Sequence, residues 1–208
     1  VAYAPSKLRN AVETGAPVRR NLRSADVHAL RVSARESLGI SASARVAVVM
    51  GGSLGSAVLN SATEHLVQSL RSTEHTCIIH IAGERFMDAV KLPVTMHHSN
   101  GTLAYSRIAY SHDMLTLYSA ADVVVCRAGA STIAEVSTVG VCAVVVPWKD
   151  AAENHQLVNA KWLTDRGGAV LLEESALTVH EFSQLVTELL RDDDRRSAIA
   201  SRARDLGA

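Results

Sequence analysis

The sequence predicts an α/β fold, a Rossmann-like parallel sheet with helices on both faces. Three observations carry this. Valine- and isoleucine-rich runs recur at 46–50, 76–81, 121–126 and 142–146, each of strand length and apolar on both faces. Apolar-periodic segments of helical length alternate with them, which makes βαβ units. Glycine-bearing turns follow two of the runs directly, at Gly51-Gly52-Ser53-Leu54-Gly55 and at Gly129.

Each element can be justified in order. Residues 1–23 carry no long period, and Gly15-Ala16-Pro17-Val18-Arg19 reads as a turn or hinge. Ser24 is expected to N-cap a helix running to Leu38, with Gly39 as its stop. A buried strand at 46–50 leads through the turn 51–56 into a helix at 57–70. A second strand, 76–81, ends near Gly83. The stretch 84–105 reads mostly as loop, 106–110 as a short strand and 113–119 as a short helix. Then come the strand 121–126, the helix 131–139 and the strand 142–146, which ends at Pro147. A helix at 153–166, a strand at 169–172 and helices at 178–190 and 195–204 complete the chain. No internal repeat or low-complexity tract occurs.

Composition narrows the function. The 208 residues carry 21 basic and 21 acidic side chains without blocks, so no chain-wide field favours nucleic acid or an anionic membrane. No long uncharged apolar run is present to span a bilayer, and Pro5, Lys7 and Arg9 break any leader-like segment. Cys77, Cys126 and Cys142 stand far apart in strand-like runs and read as buried free thiols, which suits a reducing cytosol. His97-His98 lacks a third ligand at useful spacing and reads as loop, so no metal is expected. Asp192-Asp193-Asp194 reads as a solvated turn between helices.

The candidate chemistry sits just after strands, where parallel sheets bind ligands. Arg127-Ala128-Gly129-Ala130-Ser131-Thr132 joins a strand to a helix start, a place suited to phosphate. Glu135, one turn on, can meet sugar hydroxyls; equally, Thr132 and Glu135 have capping-box spacing. The 51–55 glycine loop lacks a P-loop lysine; it is either a tight packing turn or, through Ser53, a phosphate contact. Gln156 and Asn159 share a helix face, and paired amides suit sugar hydroxyls and an acetamido group. The plain alternative is a polar helix start capped by Asp150, with His155 in its first turn.

Read together, these motifs resemble a known family. Gly15-x-Pro17-Val18-Arg19, Gly51-Gly52-Ser53-x-Gly55, Asp113-Met114, the run from Ala121 to Thr132, Glu135, Val146-Pro147 and His155-Gln156-x-x-Asn159-Ala160 occur in the order found in the C-terminal half of the MurG family. These are the family 28 glycosyltransferases of peptidoglycan synthesis. The resemblance covers the chain from about Gly15 onward. It implies the C-terminal domain of a GT-B glycosyltransferase, with residues 1–19 as the end of an acceptor domain and its hinge, and residues 20–208 as the donor-binding domain. The opening at Val1 fits an acceptor domain lying upstream.

The resemblance also implies roles. The donor would be UDP-N-acetylglucosamine and the acceptor lipid I. Transfer would be inverting, with no cofactor and with the general base in the acceptor domain, so that this half alone is expected to be inactive. Arg19 and Ser53 would contact the diphosphate, with the backbone of Ala130, Ser131 and Thr132. Glu135 would bind ribose, backbone near Ser111 would face uracil, and Gln156 with His155 and Asn159 would read the sugar. Leu54, Ala16, Ser131 and Tyr110-Ser111-His112 depart from the family pattern. The implied location is cytoplasmic, peripheral on the inner face of the membrane through the acceptor domain. Two alternatives stand beside this: a stand-alone donor-binding subunit of a two-subunit transferase, and a non-catalytic nucleotide-sugar binding module.

Overall fold

Strand faces follow from period two. In the computed structural model, which describes residues 15–70 and 75–207, β1 (Arg45–Met50) sends Val46, Val48 and Met50 into one core and Ala47 and Val49 into another. The remaining strands are β2 (Thr76–Ile81), β3 (Thr95–His97), β4 (Leu103–Ile108), β5 (Val123–Cys126), β6 (Ala143–Val145) and β7 (Val170–Leu171). They form one sheet in the order β3-β4-β2-β1-β5-β6-β7. All neighbours are parallel except β3 and β4, which are antiparallel. Because β1 from Val46 onward, β5 and β6 are buried on both faces, they must be uniformly apolar there, as the sequence shows.

The helices are α1 (Arg20–Arg23), α2 (Arg31–Ser37), α3 (Ala57–Ser69), α4 (Met114–Ala120), α5 (Ala130–Val139), α6 (His155–Thr164), α7 (Val179–Arg191) and α8 (Asp193–Gly207). Leu59 and Leu66 of α3 and Phe182 and Val186 of α7 cover one face. Met114 and Leu117 of α4, Ile133 and Val136 of α5 and Leu163 of α6 cover the other. From β1 the chain moves outward to β2 and β4, then returns to place β5 on the other side of β1. Strand order therefore reverses between β1 and β5, and open parallel sheets bind ligands in a crevice at the carboxyl ends beside such a reversal.

Most expected elements fall within three residues of their observed bounds; the helix expected from Ser24 and the loop expected at 84–105 do not. Ser24 does not start a helix. It ends α1, and its hydroxyl donates to the Arg20 carbonyl. Asp26 instead accepts from the His28 and Ala29 N–H groups, and α2 starts only at Arg31. Gly39 does follow the helix in a left-handed conformation, φ 69°. The stretch 84–105 is not mostly loop, since it holds β3 and the start of β4, and His97 lies in that edge strand. The helix expected from 153 opens with a 3-10 turn, Ala152–Asn154, whose Glu153 and Asn154 sit at φ 52° and 53°, strained for residues with a Cβ. The segment 1–14, including Pro5, Lys7 and Arg9, lies outside the described residues. Cys77, Cys126 and Cys142 are buried free thiols, each pushed up to about 12 chiefly by burial.

Candidate functional site

The glycine loop after β1 is built by close approach. A Cβ on Gly55 would lie 2.4 Å from the Ala82 carbonyl oxygen, and Gly55 needs φ 70°. The loop thus packs on the turn after β2 as the plain reading of these glycines requires, and it leaves Ser53 exposed at its tip. Ser56 closes the loop as N-cap of α3, accepting from the Leu59 N–H at 3.3 Å.

The turn after β5 is extended at Gly129, which N-caps α5 without a side chain. Ala130, Ser131 and Thr132 form the first turn, and the Ser131 and Thr132 N–H groups precede the first intrahelical bond, made by Ile133 to Gly129 at 3.0 Å. This turn is clamped from α6. The Gln156 Oε1 accepts from the Ala128 N–H at 3.2 Å and the Trp148 N–H at 3.0 Å, and the Asn159 Nδ2 donates to the Ala128 carbonyl at 3.0 Å. The two amides therefore do not stand side by side with all their atoms open to a ligand. Asn159 is buried, and half of Gln156 serves the backbone. Asp150 does not cap α6; Asn154 holds that position without a side-chain cap bond, and the exposed His155 pairs through Nδ1 with the Ala152 carbonyl at 2.7 Å.

Arg127 fastens three loops together. It donates to the Glu174 carboxylate at 2.8 Å, the Ser56 hydroxyl at 2.6 Å and the Val146 carbonyl at 3.3 Å. Glu174 also accepts from the Lys149 N–H at 3.2 Å. Burial alone would raise the Glu174 carboxyl, but Arg127 and the Lys149 N–H outweigh it and hold it below its ordinary value. Sequence reasoning passed over this pair. The available signal was a charged residue directly after the valine run of β5.

Glu135 is not a capping residue. α5 starts at Ala130, so Glu135 lies beyond its first turn, and both of its oxygens are engaged elsewhere. Oε1 accepts from the Arg19 Nε at 3.3 Å and Nη2 at 3.2 Å, and Oε2 accepts from the Tyr118 hydroxyl at 3.0 Å. Arg19 also reaches the His112 carbonyl at 3.4 Å. That carbonyl belongs to the loop after β4, where Ser111 is half-buried and Tyr110 meets His112 edge-on at 4.8 Å. Direct bonds thus join Arg19, Glu135 and the 110–112 loop, and separately join Gln156 and Asn159 to the α5 entrance. Ser53 and His155 share the carboxyl side of the sheet without bonding to the other candidates.

The glycosyltransferase family 28 C-terminal domain matches residues 46–206. The chain belongs to family 28. Among curated relatives, a UDP-N-acetylglucosamine--N-acetylmuramyl-(pentapeptide) pyrophosphoryl-undecaprenol N-acetylglucosamine transferase of Burkholderia vietnamiensis is 36% identical over 205 residues, which are 97% of this chain and 53% of the relative. Its namesake from Burkholderia thailandensis is 35% identical over 207 residues. The chain spans about half the length of the curated relatives it matches. The crystal structure of Acinetobacter baumannii MurG superposes with a TM-score of 0.66 at 32% identity, covering 84% of this chain and 48% of that one. WaaG, a glycosyltransferase of lipopolysaccharide biosynthesis, shares the fold at 18% identity, with a TM-score of 0.64. The sheet is accordingly the Rossmann-like C-terminal domain of a GT-B glycosyltransferase, as the motifs implied. In this family 28 domain the β1/β5 reversal is the candidate crevice. Among the described residues, no helix is long and apolar enough to cross a membrane.

Proposed function

We propose that this crevice binds UDP-N-acetylglucosamine, and that the chain is the donor-binding half of an inverting transferase that moves N-acetylglucosamine to lipid I, forming lipid II. One observation carries the proposal: a carboxylate, a guanidinium and the first turn of a helix meet at the strand-order reversal of a family 28 domain. The α5 entrance at Ala130, Ser131 and Thr132, with Arg19 and Ser53, takes the diphosphate. Glu135 takes the ribose hydroxyls once Arg19 turns from it to the phosphates. Backbone near Ser111 faces uracil. Gln156 and His155 read the sugar, and Asn159 holds the Ala128 turn beneath them.

In the reaction, the acceptor hydroxyl attacks the anomeric carbon as the bond to the diphosphate breaks. Negative charge grows on the departing UDP, where the helix N-terminus and Arg19 stabilise it. Residues 1–19 serve as the hinge side and 20–208 as the donor domain. The general base, the lipid I site and the contact with the inner face of the membrane fall to the half of the relatives' length that this chain does not span.

Calorimetry tests the donor assignment. UDP-N-acetylglucosamine should bind more tightly than UDP-glucose, and Gln156→Ala should erase the difference. Equal affinity of the unaltered chain for the two sugars would refute the assigned role of Gln156.

A further inference from the structure

Glu135 is held asymmetrically. From outside, Oε1 is held by Arg19, whose side chain is 47% exposed. A long cation in water gains little from one such pairing and exchanges partners readily. From inside, Oε2 is held by Tyr118 of α4, which is 1% exposed and packed in the core. A buried hydroxyl has no water to turn to, so leaving its acceptor is unfavourable. Burial, and next the charge of Glu135, push the Tyr118 phenol well above its ordinary range, so it remains a donor. An ionised carboxylate offers about four acceptor positions, and the phenol uses one of them.

We infer that Tyr118 is a positioning residue for the donor: its hydroxyl locks the Glu135 carboxylate in one orientation, so that Oε1 and the remaining lone pairs are presented to the ribose diol when Arg19 leaves. The inference rests on the proposed ribose role of Glu135. Without the phenol, the glutamate side chain would have to be ordered by the ligand itself, and each diol hydrogen bond would be weaker by that loss.

The test uses the chain with UDP and 2′-deoxy-UDP, two ligands that differ by one ribose hydroxyl. A hydrogen bond to a charged group implies a preference for UDP on the order of tenfold in the unaltered chain. Glu135→Ala should collapse that preference to about one, as the loss of such a bond requires. Tyr118→Phe keeps the ring and its packing. It should lower the preference to roughly threefold or less, with UDP binding weakened more than that of 2′-deoxy-UDP, which keeps only the 3′ hydroxyl contact. A merely structural hydroxyl would shift the melting temperature and leave this ratio alone. If Glu135→Ala collapses the preference and Tyr118→Phe preserves it, the positioning role is overturned while the ribose contact stands. If Glu135→Ala leaves the preference intact, the ribose contact itself fails, and the positioning role falls with it.

Discussion

Replacing Arg127 with methionine should be among the most damaging single changes at the crevice. Its guanidinium and the Glu174 carboxylate are 10% and 7% exposed and 2.8 Å apart. The change strands a buried carboxylate and removes partners from the Ser56 hydroxyl and the Val146 carbonyl. Breaking a buried pair on one side costs about 3–5 kcal/mol. In a chain of this size, each kcal/mol moves the melting temperature by about 2–4 °C, so the midpoint should fall by roughly 6–20 °C. The double variant Arg127→Met/Glu174→Gln should recover about 2 kcal/mol, because no lone charge remains.

The pH dependence carries a signature. The Glu174 carboxyl titrates below its ordinary value in the folded chain, so the unfolded chain binds its proton first as pH falls. The pair's contribution is therefore complete above the unfolded carboxylate pKa of about 4.3, and it disappears as pH drops through the lower folded value. Thermal melts of both chains from pH 7 to pH 3 would show the gap between them narrowing, first above the unfolded value as the variant's stranded carboxyl takes up its proton, then below about pH 4 as the pair itself is lost. UDP titration should show weaker binding, since the β1 and β6 loops lose their common anchor. A midpoint shift under about 2 °C, or a gap constant down to pH 3, would refute the assignment.

Two other expectations follow from the hydrogen bonds. Glu135→Ala should weaken UDP binding and also destabilise the chain by about 1–3 kcal/mol, because the Tyr118 hydroxyl loses its acceptor. The exposed Arg19 pairing adds at most about 1 kcal/mol to that. Unchanged UDP affinity by calorimetry would refute the site. His80 is the second case. The Asn60 Nδ2 donates to the Ala82 carbonyl, which leaves its Oδ1 to accept from the His80 Nε2, while the Tyr105 hydroxyl donates to Nδ1. This suits neutral imidazole, and burial, then Arg107, depresses the His80 pKa to about 4. Stability is then full above the unfolded value near 6.5 and is lost as pH falls toward 4, by about 3 kcal/mol. His80→Gln should flatten that window in urea melts; an unaltered slope between pH 6.5 and pH 4 would exclude the mechanism.

The order of elements was written locally. β1, β5 and β6 are buried on both faces, so no polar residue could interrupt their valine runs, and they stood out. Helix α7 opens with Thr178 and Glu181 in a reciprocal capping box, close to the start that its periodicity indicated. β3 was hidden because its residues Thr95, Met96 and His97 sit at a sheet edge without a buried apolar face, so no period marks them. Ser24 misled because a capping residue is favoured only if the chain beyond it turns helical, and there Asp26 captured the neighbouring N–H groups.

At the site, the sequence alone placed glycine loops, a helix entrance and polar residues after strands, since each depends on a few consecutive residues. It could not choose between a cap and a ligand for Glu135, or between open amides and a clamp for Gln156 and Asn159. Those choices rest on partners far along the chain: Arg19 lies 116 residues from Glu135, Ser56 lies 71 from Arg127, and Ala128 lies 31 from Asn159. Hydrogen bonds act only within about 3.5 Å. Such partners meet only after the sheet has set β5 beside β1, because strand order, not local periodicity, decides which loops share an edge.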